Sequence, residues 1–418
     1  MSDTKISFVG EVNVSKIDLI STNGYATDIT NLVVETNVYE DMFSNSISAT
    51  LVIADATNLS EVLPIVGEEI VEIEFTTPTL QQKFVKTFYV YKISDRNLSE
   101  ASRAQTYVMH LCSKELIISE NNKISKAFSG KISTTVSNIF SDKEFIGSDK
   151  KLIVEDTSNS YSFVAPYWTP FKTINWLSER AMNKTGTPNY VFFETTQSFE
   201  FTSIERLMKS PPKRSYVYAD VNATTLFNDI DSKYNVVDNI YADVSFDYLR
   251  RLNSGMYSSS LQTLDMTSKT IKAYDYDYIK NFSNSTHLEK NPISTPNIIR
   301  KKIASQYFIE KNGHLYSNKM DQGHDKRYLQ RNSLMEQVFA YRVNISVPGR
   351  FDIKAGDVID FTINSFGAFG SEEMHQITDN KYTGKYLITA IRHIIRSNKH
   401  TMNLEIIKDS FAKPLGSK

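Results

Sequence analysis

The sequence predicts a mainly β protein: two similar antiparallel β-modules with an α+β insertion. Three observations lead there. Short runs of alternating apolar and polar residues recur, punctuated by Gly, Pro, Asn and Asp. Strand-forming aromatics are plentiful, with 23 Tyr and 24 Phe against 2 Trp. One four-strand pattern occurs twice, and a repeat decides architecture before anything else does.

The C-terminal copy runs from Val343 to Ser410. Val343, Ile345 and Val347 alternate with Asn344 and Ser346 and lead into the turn Pro348-Gly349-Arg350. After Ala355-Gly356-Asp357 come Val358, Ile359, Phe361 and Ile363, then strands beginning at Gly384 and Thr401. The N-terminal copy places Ile47, Ala49, Leu51 and Ile53 in alternation, then Gly67-Glu68-Glu69-Ile70 against Gly356-Asp357-Val358. Phe88, Val90 and Ile93 line up with Tyr386, Ile388 and Ile391, and Tyr107, Met109 and Leu111 with Met402, Leu404 and Ile406.

Taken in order, residues 1–115 make the first β-module, with early strands at Lys16 to Ile20 and Leu32 to Asn37. Residues 116–212 form the insertion. Ser133 to Phe140 has helical spacing and Lys151 to Glu155 reads as a short strand. Thr169 is placed as an N-cap with Pro170 at the first helical position, and Phe171, Ile174, Leu177, Ala181 and Met182 form the apolar face of a helix ended by Gly186 and Pro188. A hairpin follows, from Tyr190 to Ile204, with Thr196-Gln197 at its tip. Trp168, Pro170, Phe171 and Trp176 are expected to fix the packing of this insertion.

Ser210-Pro211-Pro212-Lys213 marks a junction. The second module is expected from 213–246 plus 336–412, with strands at Tyr216 to Tyr218 and Ile240 to Phe246 and a helix or turn at Leu226 to Tyr234. Residues 247–335 read as a loop-rich insertion, with short strands at Leu261 to Asp265 and Ile271 to Tyr276, and a helix from Lys326 to Val338. Residues 413–418 are a tail. Gly67, Gly349, Gly356 and Gly384 are the expected turn glycines.

Composition narrows function. At 418 residues the length suits about three domains. Lys plus Arg number 47 and Asp plus Glu 48, so no global field draws the chain to nucleic acid or an anionic membrane. The single Cys112 reads as a small buried hydrophobe in a strand, which excludes an intrachain disulfide and suits a reducing compartment. No Sec signal and no membrane span are expected; the chain reads as made and soluble in a cytoplasm.

No motif points to catalysis, a cofactor or a metal: H-E-x-x-H, C-x-x-C pairs, G-x-S-x-G and a Walker loop are all missing. The seven histidines, His110, His287, His314, His324, His375, His393 and His400, are scattered. His393 and His400 flank a hairpin tip and read as solvated there sooner than as a metal pair. The loop Asp321 to Arg327 and the run Asp275-Tyr-Asp277-Tyr read as solvated loop and half-buried strand. The basic stretch Arg300-Lys301-Lys302 with Lys311, Lys319, Lys326, Arg327 and Arg331, interleaved with Tyr307, Phe308 and Tyr316, reads as a solvated or partner-facing segment before a nucleic-acid surface.

Several motifs together resemble one family. Pro170-Phe171 with Ile174-Asn-Trp-Leu177, the hairpin Tyr190-Val-Phe-Phe-Glu with Phe199-Glu-Phe-Thr-Ser-Ile, Arg331-Asn-Ser-Leu, Val347-Pro-Gly-Arg-Phe-Asp-Ile-Lys-Ala-Gly-Asp-Val-Ile, and Gly384-Lys-Tyr-Leu-Ile-Thr with Lys408-Asp409-Ser410 are similar to the baseplate hub proteins of contractile-tailed bacteriophages. The N-terminal part of type VI secretion spike proteins shares the pattern. The resemblance covers about residue 30 to 411, and it is the order and spacing of the motifs that make it specific.

The resemblance implies two similar antiparallel β-barrel tube domains and a helix-and-hairpin domain. It also implies a homotrimer with pseudo-six-fold symmetry that joins the tail tube to the central spike and encloses a channel for tape measure protein and DNA. Expected partners are the chain itself, spike, tube, and baseplate wedge or other hub proteins, with no membrane insertion; the expected location is the virion's tail baseplate, assembled in the host cytoplasm. Unlike the secretion-spike relatives, this sequence has no OB-fold or β-helix after Lys418, so the spike is expected to be another chain. Two other readings stay open: a tail-associated glycan-binding or cell-wall-hydrolysing β-protein, and the hub of a phage-derived injection or secretion particle.

Overall fold

A computed structural model describes residues 8–57, 59, 65–99, 104–218, 230–244, 247–266, 269–293, 305–311, 323–363, 379 and 381–414. Most of the expected segment Leu226 to Tyr234, Phe246, the run Arg300 to Lys302, His314, Tyr316, Lys319, Asp321 and His375 lie outside them, as do residues 415–418 of the expected tail.

The first module contains β1 (Asn13–Ile20), β2 (Ala26–Asp28), β3 (Val33–Asp41), β4 (Ser48–Asp55), β5 (Ile70–Thr77), β6 (Gln82–Ser99) and β7 (Ala104–Cys112). All pair antiparallel, in the order β3-β4-β7-β6-β5-β1-β2. Strict alternation in β4 and β5 sends Ala49, Leu51, Ile53, Val71, Ile73 and Phe75 inward, and each is at most 1% exposed.

The insertion starts with α1 (Lys114–Asn121), β8 (Ala127–Lys131) and α2 (Ile132–Ser141), then β9 (Leu152–Val154) and β10 (Ser160–Val164). Helix α3 (Pro170–Ser178) leads to the hairpin β11 (Tyr190–Glu194) and β12 (Phe199–Ser203), closed by α4 (Ile204–Met208). Thr169 caps α3 by accepting from the Lys172 N–H, with Pro170 at the first position. The helix is shorter than its apolar spacing predicts. It stops at Ser178, where Arg180 N bonds Leu177 O and tightens the last turn, although Ala181 still reaches the core.

The second module begins with β13 (Arg214–Tyr218) and β14 (Asn239–Val244). An excursion carries β15 (Ser258–Asp265), β16 (Thr270–Asp277), β17 (Asn291–Pro292) and β18 (Ser305–Lys311), then α5 (His324–Val338). Strands β16-β15-β18 form a three-stranded sheet, so this segment holds more regular structure than its loop-rich sequence predicts. The module closes with β19 (Tyr341–Pro348), β20 (Val358–Ile363), β21 (Gly384–Arg396), β22 (Lys399–Lys408) and β23 (Ser410–Phe411). Its strands run β14-β19-β22-β21, with β20 on the other part of β21 and β13 on β20.

Strand for strand the two orders match: β3-β4-β7-β6-β5-β1 against β14-β19-β22-β21-β20-β13. A bulge between Val90 and Lys92 in β6 recurs between Ile388 and Ala390 in β21. Before β5, Glu69 O accepts from Val90 N and the Glu69 carboxylate from Val66 N; before β20, Asp357 O accepts from Ile388 N and its carboxylate from Lys354 N. Glu69 and Asp357 are therefore equivalent, and the second turn has one residue fewer between its glycine and its acid. Strand β13 differs from β1 in running parallel to its neighbour. Strand β21 also pairs with β3, which joins both modules into one 13-stranded sheet.

Candidate assembly interface

The junction is a run of antiparallel pairs from Ala390 opposite Asp41 to Arg396 opposite Glu35. Side chains reinforce it. Arg392 Nε donates to Asn37 Oδ1 at 2.9 Å, and Glu35 accepts from Arg396 and from Asn37 Nδ2. These contacts hold the Glu35 carboxyl below its ordinary range despite the opposing effect of burial. Ile395, 3% exposed, leaves its own module and enters the core of the first beside Leu51 and Met109.

A second contact lies beside it. His400 N donates to Gly10 O and Val12 N to Asn398 O, and Phe351 N donates to Gln82 Oε1. The Phe351 ring stacks on Phe84 at 4.8 Å and on His400 at 4.5 Å. His393 and His400 are 1% and 0% exposed, with Nδ1 of one 3.0 Å from Nε2 of the other. The hairpin tip is therefore not where these rings reach water: Phe351, Gly349 and the first module cover them. Burial pushes His393 down to about 4 and His400 well below its ordinary value, so the pair is neutral at pH 7.

Buried carboxylates fasten the insertion to both modules. Glu40 of β3, 1% exposed, accepts from Thr196 N in the hairpin tip at 2.7 Å and from Ala355 N at 2.8 Å. Glu194 accepts from Ile47 N, Ser113 Oγ and Lys150 Nζ, and Lys150 also meets Glu115 at 2.7 Å. Burial works against the Lys150 ammonium, but the two carboxylates outweigh it and raise its pKa. Glu200 pairs with Lys354. The hairpin side chains Val191 and Phe193 share a core with Ala355, Val358 and Leu387.

The expected turn glycines all sit at strand entries or exits. Gly67 and Gly356 have φ of +102° and +90° before β5 and β20. Gly384 starts β21 at φ +139°, with buried Lys408 Nζ 3.0 Å from where a Cβ would lie. Gly349 is demanded by space: a Cβ there would come within 2.0 Å of the His400 ring. In the insertion, Pro170 and Phe171 are buried while Trp168 and Trp176 are half-buried, 5.5 Å apart. Lys172 lies over Trp168 and Arg180 over Trp176, the latter at 3.7 Å.

The edges equivalent to the junction carry no partner strand among the described residues. Beyond Val90 the β5-facing edge of β6 is open, and β14 pairs only with β19. Large apolar side chains stand exposed there: Tyr91 at 52%, Leu98 at 68% and Tyr241 at 65%. The sequence reading assigned none of these, nor Glu40, Arg392 or Ile395. One signal was present: the first copy's third strand reads on past its apolar stretch through Arg96 and Leu98.

Cys112 is 2% exposed in β7, and burial pushes its thiol up to about 11. Among the described residues no group of three or more His, Cys, Asp or Glu is arranged to hold a metal, and no helix is long and apolar enough to cross a membrane.

Comparison with family profiles finds no match, and comparison with curated proteins finds none. Comparison of structures does find similar folds. A tail protein from Neisseria meningitidis MC58 matches over 94% of this chain and 96% of its own, with 8% identity and a TM-score of 0.55. The 43 kDa tail protein of prophage MuSo2 from Shewanella oneidensis matches over 94% and 98%, with 11% identity and a TM-score of 0.57. The E. coli c3393 protein, a type VI secretion component, matches over 95% and 76% with 7% identity and a TM-score of 0.43. Over nearly its whole length, this chain has the fold of the Neisseria and MuSo2 tail proteins.

Proposed function

We propose that this chain is the hub subunit of a tail baseplate, a homotrimer with pseudo-six-fold symmetry that joins the tail tube to the central spike. The two tube domains are residues 1–115 and 213–246 with 336–412, the helix-and-hairpin domain is 116–212, and 247–335 is an insertion. Gly67, Gly349, Gly356 and Gly384 set the turns, and Trp168, Pro170, Phe171 and Trp176 pack the insertion. The role is structural, without catalysis.

One observation carries this reading: two modules of equal strand order are joined through β3 and β21, while the matching edges on β6 and β14 stand open. A contact between different patches of successive copies is heterologous, and it closes into a ring when the rotation allows. Three copies then supply six near-equivalent modules, which suits a six-fold tube on one side and a three-fold spike on the other. Open edges that pair on assembly also escape the aggregation that unprotected edges invite. A net charge of −1 over the whole chain is compatible with passage of DNA and tape measure protein without counterion-release binding. The whole-length fold shared with two tail proteins supports the same assignment.

The test is electron microscopy of the purified protein at micromolar concentration, alone and with its spike. Rings with three-fold symmetry and six lobes are expected. Compact monomers in both preparations would overturn the proposal and direct attention to cell-wall binding.

A further inference from the structure

The two open edges are matched to each other in register, down to an irregularity that the closed junction lacks. In the junction, Arg392 faces Tyr39, His393 faces Val38, Ile394 faces Asn37 and Ile395 faces Thr36. The ladder with β7 makes Ser94 of β6 the equivalent of Arg392, Asn97 of Ile394 and Leu98 of Ile395, since Val108, Thr106 and Gln105 correspond to Asn403, Thr401 and His400. The ladder with β19 likewise makes Ile240, Tyr241 and Val244 the equivalents of Thr36, Asn37 and Tyr39.

Each open edge carries one extra residue at the same rung. On β6, Asp95 and Arg96 occupy the place of His393 alone. On β14, Ala242 and Asp243 occupy the place of Val38 alone. His393 and Val38 face each other across the junction, so the two insertions would meet there too. A bulge on one strand of a pair throws every later rung out of step, whereas one on each strand at the same rung restores it.

Leu98 adds a side-chain argument. Its equivalent Ile395 is 3% exposed because it enters the core of the neighbouring module, while Leu98 is 68% exposed. The position it would enter is marked by Ile240, half-buried against the core of the second module.

Resting on the ring proposed above, we infer that the occupant of the β6 edge is β14 of a second copy. The strands pair antiparallel with Ser94 opposite Val244, Asn97 opposite Tyr241 and Leu98 opposite Ile240, their two bulges are in register, and Leu98 fills the next copy's second-module core.

The test combines cross-linking with mass measurement on the full chain. Leu98→Cys with Ile240→Cys, oxidised by copper phenanthroline, should give covalent oligomers on a denaturing gel. Leu98→Cys with Asp238→Cys, two residues out of register, should give far fewer; buried Cys112 is common to both. Separately, Leu98→Asp should leave the unfolding of the isolated chain unchanged and raise the concentration needed for assembly by about tenfold or more. Rings that form with Leu98→Asp at the wild-type concentration, or rings of the Leu98→Cys, Ile240→Cys chain that do not cross-link, overturn this pairing and leave the hub intact. Absence of rings in the wild type with spike present overturns the hub, and this pairing with it.

Discussion

The two modules share their strand order and a bulge, yet they solve one local problem in different ways. In the second, the exit of β19 is Gly349 against His400, which pairs with His393 beneath Phe351. In the first, the equivalent exit of β4 is Asp55, which accepts from Gln105 Nε2 at 3.0 Å, while Gln105 accepts from Arg96 Nε at 2.8 Å. One module uses dry rings on a glycine; the other uses a polar chain that leads to the open edge of β6. The difference follows from position. The second module's site is covered within the chain, so its two histidines stay neutral and share one hydrogen bond. The first module's site borders the open edge of β6 and can keep the Arg96 guanidinium partly in water.

The largest effect expected from breaking this comparison is at Gly349. Gly349→Val would drive a side chain into the His400 ring and should cost about 3 kcal/mol or more, as overpacking of a closed site does. Asp55, at the same place, should tolerate Asn with a loss of about 1 kcal/mol. Chemical denaturation of both variants measures the difference. Comparable losses would mean that the two exits are not distinct.

The histidine pair gives a pH signature that the first module lacks. The folded-state pKa of His393, about 4, lies below the unfolded value near 6.5, so the unfolded chain binds more protons between these limits. Stability from His393 is complete above about pH 6.5 and is lost as pH falls toward 4, by up to about 3 kcal/mol, and His400 contributes with the same sign. Replacing both by Met should flatten that acid limb in thermal unfolding. His287 works oppositely: burial is overcome by Asp409 at 2.7 Å, its pKa is raised, and its contribution is present below about 6.5 and lost as pH rises through the folded value.

Ile395 and Leu98 sharpen the comparison at matched positions. Ile395→Ala empties a buried site and should cost about 2 to 4 kcal/mol in the single chain. Leu98→Ala, at a 68% exposed position, should cost less than about 0.5 kcal/mol in the single chain. Equal costs in the isolated chain would contradict the exposure difference.

Much of the fold was legible because period-two alternation reports a half-buried strand directly. The strands around Leu51, Ile73, Ile345 and Leu404 were readable, as was the Thr169-Pro170 helix start. The join between modules was not: a contact between Glu35 and Arg396 spans nearly the whole chain, and nothing local in either strand announces its partner. The histidine tip was misread for the same reason. His393 and His400 sit in polar-looking sequence, and their burial is imposed by Gly10 and Phe351, residues remote from the hairpin. The open-edge residues stayed hidden because an open edge and a paired edge have the same local pattern.

The smallest expected effect concerns the charges that dress the junction. Arg396 is 69% exposed and Arg392 41%, so their pairing with Glu35 is largely screened. Glu35→Gln should therefore cost only about 0.5 to 1 kcal/mol, mostly through the lost acceptor for Asn37 and the arginines. Its pKa is lowered in the fold, so its stabilisation is present above about pH 4.5 and lost as pH falls through the folded value. A urea titration at pH 7 in low and high salt checks this. A loss several times larger that shrinks steeply with salt would show that charge, and not the backbone ladder with Ile395, holds the two modules together; a small loss, little changed by salt, is what a junction built on strand pairing requires.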